Sequence, residues 1–81
     1  MKTIVEVETK LSKYLLDSNV VVSLNADYIV VGDPPQFIIA DLNNDTAAVY
    51  ENVTAPADWV GNKYTFNGTD WALDPNWVEE D

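Results

Sequence analysis

Cysteine, histidine and arginine are all absent from this chain, and each absence closes off a class of function. Without cysteine there is no disulfide framework, no thiolate metal site and no thiol nucleophile. Without histidine there is no serine–histidine or cysteine–histidine catalytic pair, and no imidazole switch near neutral pH. With no arginine and only four lysines, the 14 acidic residues leave a formal charge of −10. Binding a nucleic-acid backbone depends on lysine and arginine releasing counterions, so this chain repels polyanions and anionic membranes alike. The three glycines are dispersed, which excludes a glycine-rich phosphate loop. No apolar run reaches a membrane-spanning length. Lys2 is followed by an apolar run that soon meets Glu6 and Glu8, which does not read as a secretion signal. A cofactor-free, non-enzymatic protein is expected, with neither nucleic acid nor membrane as partner.

The 81 residues predict one domain, residues 1–81, with a single core. A chain of this size buries only roughly 60–65% of the surface its unfolded form exposes. Small domains without disulfides or metals often recover the missing burial by oligomerising, so a homo-oligomer is expected. The acidity serves solubility, or else marks a docking surface for a basic partner.

The best-specified local feature is the stretch Lys63-Tyr64-Thr65-Phe66-Asn67-Gly68-Thr69-Asp70-Trp71-Ala72-Leu73. Asn-Gly between alternating runs signals a β-hairpin, because a two-residue type I′ turn needs φ > 0 at both central positions. With Asn67 and Gly68 as the turn, Phe66 is expected opposite Thr69 and Tyr64 opposite Trp71. Tyr64, Phe66, Trp71 and Leu73 then share one face. A Tyr64–Trp71 pair would add roughly 0.5–1 kcal/mol beyond simple burial.

Elsewhere the period is two or the runs are short. Residues 3–9 alternate, with Thr3, Val5 and Val7 on one face and Ile4, Glu6 and Glu8 on the other, predicting a strand with one solvated side. Residues 11–16 fit either a short strand or a helical turn. Residues 20–24 and 28–31 read as strands around an Asn25-Ala26-Asp27 turn, and Gly32-Asp33-Pro34-Pro35 as a connection. Residues 37–41 and 46–50 read as a hairpin closed by Leu42-Asn43-Asn44-Asp45, with Phe37 facing Tyr50, Ile38 facing Val49 and Ile39 facing Ala48. Turn signals every 8–12 residues predict an all-β fold, a single small antiparallel sandwich or barrel of six or seven short strands.

Two sets of residues invite a binding role. Asp41, Asn43 and Asp45 alternate as at the start of a calcium loop, but the glycine and glutamate expected at the sixth and twelfth positions are Thr46 and Asn52. A polar turn explains them as well. Trp59, Tyr64, Trp71 and Trp77 could form an aromatic platform for sugar rings, or simply fill a small core that needs large side chains. Tyr64 and Trp71 are expected inside. Trp59 and Trp77 are the candidates for contact with a protein partner or a glycan.

The stretch Ala55-Pro56-Ala57-Asp58-Trp59-Val60-Gly61-Asn62-Lys63-Tyr64-Thr65-Phe66-Asn67-Gly68-Thr69-Asp70-Trp71-Ala72-Leu73-Asp74-Pro75-Asn76-Trp77 resembles the ends of small proteins of marine tailed phages, especially those infecting cyanobacteria. There a tryptophan, a lysine–tyrosine hairpin and a closing Pro-Asn-Trp or Pro-Asp-Trp recur at similar spacing. The resemblance covers under a third of the chain. It implies a phage or phage-derived source, a structural or accessory role through protein–protein contacts, and a location in the host cytoplasm or the virion. It supplies no catalytic residues. The alternative expectation is a small carbohydrate-binding module using exposed tryptophans.

Overall fold

The computed structural model describes residues 1–77, and its central strand is the first one, β1 (Lys2–Glu6). Thr3, Ile4 and Val5 follow one another and are all buried, with at most 1% of their surface exposed. Successive strand residues point to opposite faces, so β1 is covered on both sides. The expected solvated side, carrying Ile4 and Glu6, does not exist at Ile4. Ile4 is instead at the centre of the larger core cluster.

Three small antiparallel sheets surround this strand. In the first, β1 lies between β2 (Ser12–Leu16) and β6 (Ala47–Tyr50). A bulge between Ile4 and Val5 sets the register with β2, pairing Ile4 with Tyr14 and Val5 with Ser12. In the second, β3 (Val22–Leu24), β4 (Ile29–Val31) and β5 (Phe37–Ile39) pair in chain order. The third is the hairpin of β7 (Tyr64–Phe66) and β8 (Trp71–Leu73). The described residues thus hold eight strands and no helix, one more strand than the upper expectation, because the ambiguous residues 11–16 form β2.

The two faces of β1 divide the core. Ile4 meets Ile29 and Val31 of β4, Ile39 of β5, and Leu42 and Ala47, with Tyr14, Val22 and Val49 packed around them. Val5 meets Val53 and Phe66, flanked by Leu15, Tyr50 and Trp71. The fold is therefore sandwich-like, with the second sheet on one side of β1 and the hairpin on the other. The hairpin is fastened along β2: Asn62 donates its N–H to Ser12 O at 3.0 Å, Phe66 to Lys10 O at 2.9 Å, and Leu11 bridges Thr65.

Two expected pairings differ. No hairpin joins residues 37–41 to 46–50. β5 pairs with β4 (Val30 opposite Ile38), whereas β6 pairs with β1, placing Ile4 opposite Val49 and Thr3 opposite Tyr50. The reason lies in residues 42–46. Leu42 is buried in the core, which a hairpin tip would not permit. Asn43 then closes a tight turn, its Oδ1 accepting from the N–H groups of Asp45 and Thr46 at 2.9 and 3.1 Å. Asn44 N–H bonds Asn25 O at 2.9 Å, holding the turn against the end of β3.

The C-terminal hairpin forms, but with a four-residue loop. Phe66 pairs with Trp71, Thr65 with Ala72 and Tyr64 with Leu73, a shift of two from the type I′ register. Gly68 has φ +100°, but Asn67 is not in the positive-φ region. Its Oδ1 instead accepts from Thr69 N at 2.9 Å and Asp70 N at 2.7 Å. This side-chain turn competes with the two-residue loop and wins. A shift of two preserves facing, so the aromatic set stays together and the ring pair is Phe66–Trp71, with centroids 4.5 Å apart.

Candidate functional site

The aromatic C-terminal end is built around Asp58, Lys63 and Tyr64. Lys63 is only 7% exposed, yet its Nζ reaches Asp58 Oδ2 at 2.9 Å. The Tyr64 hydroxyl donates to the other carboxylate oxygen at 2.7 Å. The same ammonium lies 5.8 Å from the Tyr64 ring centre and 5.9 Å from that of Trp77. The Tyr64 hydrogen bond, followed by that from Lys63, holds the Asp58 carboxyl below its usual range. These groups clasp the connection after β6 to β7. The lysine and the phenol both donate to the ionised carboxylate, so the three side chains fasten this connection together.

Trp59 and Trp77 are both half-buried. The indole N–H of Trp59 donates to the buried Ser12 hydroxyl at 3.0 Å, which commits that residue to the first sheet. Trp77 lies beside Lys63, and its Nε1 is buried without a hydrogen-bond partner among the described residues. The structure thus ties each tryptophan to its own neighbours. Tyr64 and Trp71, both expected inside, are only half-buried, whereas Phe66 between them in the hairpin is buried.

Phe66 and Trp71 also line an open groove of about 390 Å³, whose rim carries Glu51, Asn52, Thr54 and Thr69. Asn52 adopts φ 58°, a left-handed conformation that asparagine tolerates better than most residues. Aromatic carbon within a rim of hydroxyl, amide and carboxylate groups is chemistry suited to a polar ring compound.

Asp41, Asn43 and Asp45 lie in the connection from β5 to β6. Asn43 Oδ1 is occupied by two backbone N–H groups, as a turn requires. Among the described residues, no three histidine, cysteine, aspartate or glutamate side chains are grouped to hold a metal ion.

The outer face of the second sheet also carries exposed apolar side chains. One face carries the rows Val22–Val31–Phe37 and Leu24–Ile29–Ile39, whose Ile29, Val31 and Ile39 are buried, and the other carries exposed Ser23 and Ile38 with half-buried Val30 between them. Ile38 is 59% exposed, and the flanking Val21 and Tyr28 are 47% and 40% exposed. Reading Val20-Val21-Val22, Ile29-Val30-Val31 and Phe37-Ile38-Ile39 simply as strands overlooks this face. Unbroken apolar runs, instead of alternation, are the signal that both sides of a sheet are apolar. The chain matches no known protein family, no curated protein and no solved structure.

Proposed function

We propose that this chain is a non-enzymatic structural or accessory protein of the phage type, working in the host cytoplasm or the virion through protein–protein contacts. The observation that carries this reading is the apolar outer face of the second sheet, with Val21, Tyr28 and Ile38 uncovered in the single chain. Three large apolar side chains exposed on one side of the same small sheet offer a surface for such a contact. Copies of the chain can meet there once salt screens their charge of −10.

The test is molar mass by light scattering across concentration, at low and at high salt. A mass above the 9.0 kDa monomer that grows with salt, and reverts in a Tyr28→Ser/Ile38→Ser variant, supports self-assembly at this face. A monomer at every salt and concentration removes the homo-oligomer, leaving the reading to depend on a heterologous partner.

A small carbohydrate-binding module is the second reading, and the groove at Phe66 and Trp71 favours it. The binding groups would then be Trp71, Asn52 and Thr69, with Trp59 held instead by Ser12. Retention on insoluble polysaccharide that is lost in Asn52→Ala/Thr69→Val supports this reading. Equal retention of that variant, or none by the wild type, discards it.

A further inference from the structure

The edge strand β5 exposes backbone as well as side chain at Ile38. Gly32 donates its N–H to Val21 O at 2.7 Å, and Tyr28 O accepts from Asn25 N at 2.9 Å, so the even-numbered residues of β4 direct their hydrogen bonds toward β3. The odd-numbered residues Ile29 and Val31 therefore face β5, where they oppose Ile39 and Phe37. In an antiparallel ladder the intervening residue points the other way, leaving the N–H and C=O of Ile38 on the open edge. Proteins usually guard such an edge with lysine. Here no lysine or arginine occurs anywhere from residue 14 to residue 62.

The charges at this edge are all of one sign. Asp33 precedes β5 and Asp41 follows it, and both are exposed. Neither takes part in the ion pairs of the described residues, which are Lys2–Glu51 and Lys63–Asp58. Asp17, Asp27 and Asp45 add further acids in the connections around the same sheet. A second copy at this edge would bring Asp33 and Asp41 of both protomers together, which ordinary ionic strength does not favour. A partner with apolar residues at its centre and cations at its ends fits the whole edge.

We propose that the open edge of β5 accepts a short extended segment of another protein, which adds as a strand, with apolar residues at alternate positions and lysine or arginine at both ends. The proposal rests on the protein-contact reading and names its partner chemistry. Backbone bonds to Ile38 give the segment its alignment, while the Ile38 side chain and the neighbouring outer face give apolar contact. Asp33 and Asp41 give charge complementarity. Pro34 and Pro35 lack the N–H groups needed to extend the ladder, so the added strand is short.

The test is selection of random displayed dodecapeptides on the immobilised full chain, followed by anisotropy titration of the enriched peptides. Peptides with alternating apolar residues and basic ends are expected. Their affinity should fall about tenfold in Ile38→Pro, which removes the outward N–H without touching the β4 ladder. Ile38→Lys, which keeps that N–H, should repel the same peptides, and circular dichroism establishes that each variant is folded. Raising salt from about 0.05 to 0.5 M should weaken binding in the wild type, and much less so in Asp33→Asn/Asp41→Asn. Enriched peptides without basic residues, affinities indifferent to all three variants, or no enrichment at all would overturn the proposal. Salt-driven self-association without any such peptide would overturn it while leaving the protein-contact reading standing.

Discussion

The indole N–H of Trp59 donates to the hydroxyl of Ser12 at 3.0 Å, joining residues 47 apart in the chain. Ser12 is fully buried, and its Oγ also bonds the buried Thr3 Oγ1. Thr3 in turn donates to Tyr14 O at 2.9 Å, which leaves Ser12 as the donor to Thr3. The result is a chain of donors running from the indole to a backbone carbonyl, with every hydroxyl partnered.

Breaking this chain in the middle is expected to cost more than shortening it at the end. Ser12→Ala strands both the Trp59 N–H and a Thr3 lone pair, for a loss of about 1–3 kcal/mol. Trp59→Phe removes only the indole donor, so Ser12 loses one accepted bond while the Ser12–Thr3 bond stays in place. Urea unfolding should therefore rank Ser12→Ala below a variant that keeps the aromatic packing. Equal midpoints for Ser12→Ala and wild type would show that the Ser12 hydroxyl contributes nothing.

The turn after β7 makes a second prediction. Gly68→Ala forces an L-residue to φ +100° and sets a Cβ 3.2 Å from Tyr50 Cε1, so it should cost about 1–2 kcal/mol. Asn67→Ala should cost about 1 kcal/mol for a different reason, the loss of an acceptor for Thr69 and Asp70. Asn67→Asp keeps an acceptor and should recover most of that loss. Thermal melts of the three variants check the order, since about 1 kcal/mol corresponds to roughly 4–8 °C in a domain of this size.

That turn also illustrates how much of the molecule was legible in its sequence. Asn67-Gly68 marks a hairpin by its residue types, and the shared aromatic face follows from a period of two. The register does not follow, because Asn67 can serve either as a positive-φ residue or as a side-chain acceptor, and local pattern does not choose between them. The short-range turn at Asn25-Ala26-Asp27 was readable for the same chemical reason as the hairpin. Long-range pairing was not. β6 leaves Asn43 and joins β1 over 40 residues away in sequence, and nothing in residues 47–50 alone distinguishes that partner from β5. The burial of Ile4 depends on the same missing fact. The exposed outer face of the second sheet was half-legible: its unbroken apolar runs are visible in the chain, but only the sheet order tells that β5 is an edge.

Acid should weaken the C-terminal clasp. The Asp58 carboxyl titrates below its ordinary value of 3.8 in the folded chain, mainly through the Tyr64 hydroxyl and then Lys63. A group whose folded pKa is depressed contributes stability above its unfolded pKa and loses it as pH falls through the folded one. The contribution of Asp58 is therefore expected to be complete near neutrality and to fade from roughly pH 4 downward. Tyr64→Phe should move the Asp58 titration back toward the ordinary range, read by carboxyl NMR shifts against pH. An unmoved titration would show that the phenol does not control the carboxylate.

Two isoleucines that look alike in sequence should respond in opposite ways. Ile4 of β1 is completely enclosed by Ile29, Val31, Ile39 and Leu42, so Ile4→Ala leaves a cavity between the two sheets and should cost about 2–5 kcal/mol. Ile38 of β5 gives 59% of its surface to solvent on the outer face. Ile38→Thr keeps the β-branch that suits a strand, so its effect on the isolated chain should stay within about 0.5 kcal/mol. Chemical denaturation at low salt, where copies repel, separates folding from association at this face. If Ile38→Thr destabilised the chain as much as Ile4→Ala, then Ile38 would belong to a core. Both the sheet order and the contact surface drawn from it would have to be abandoned.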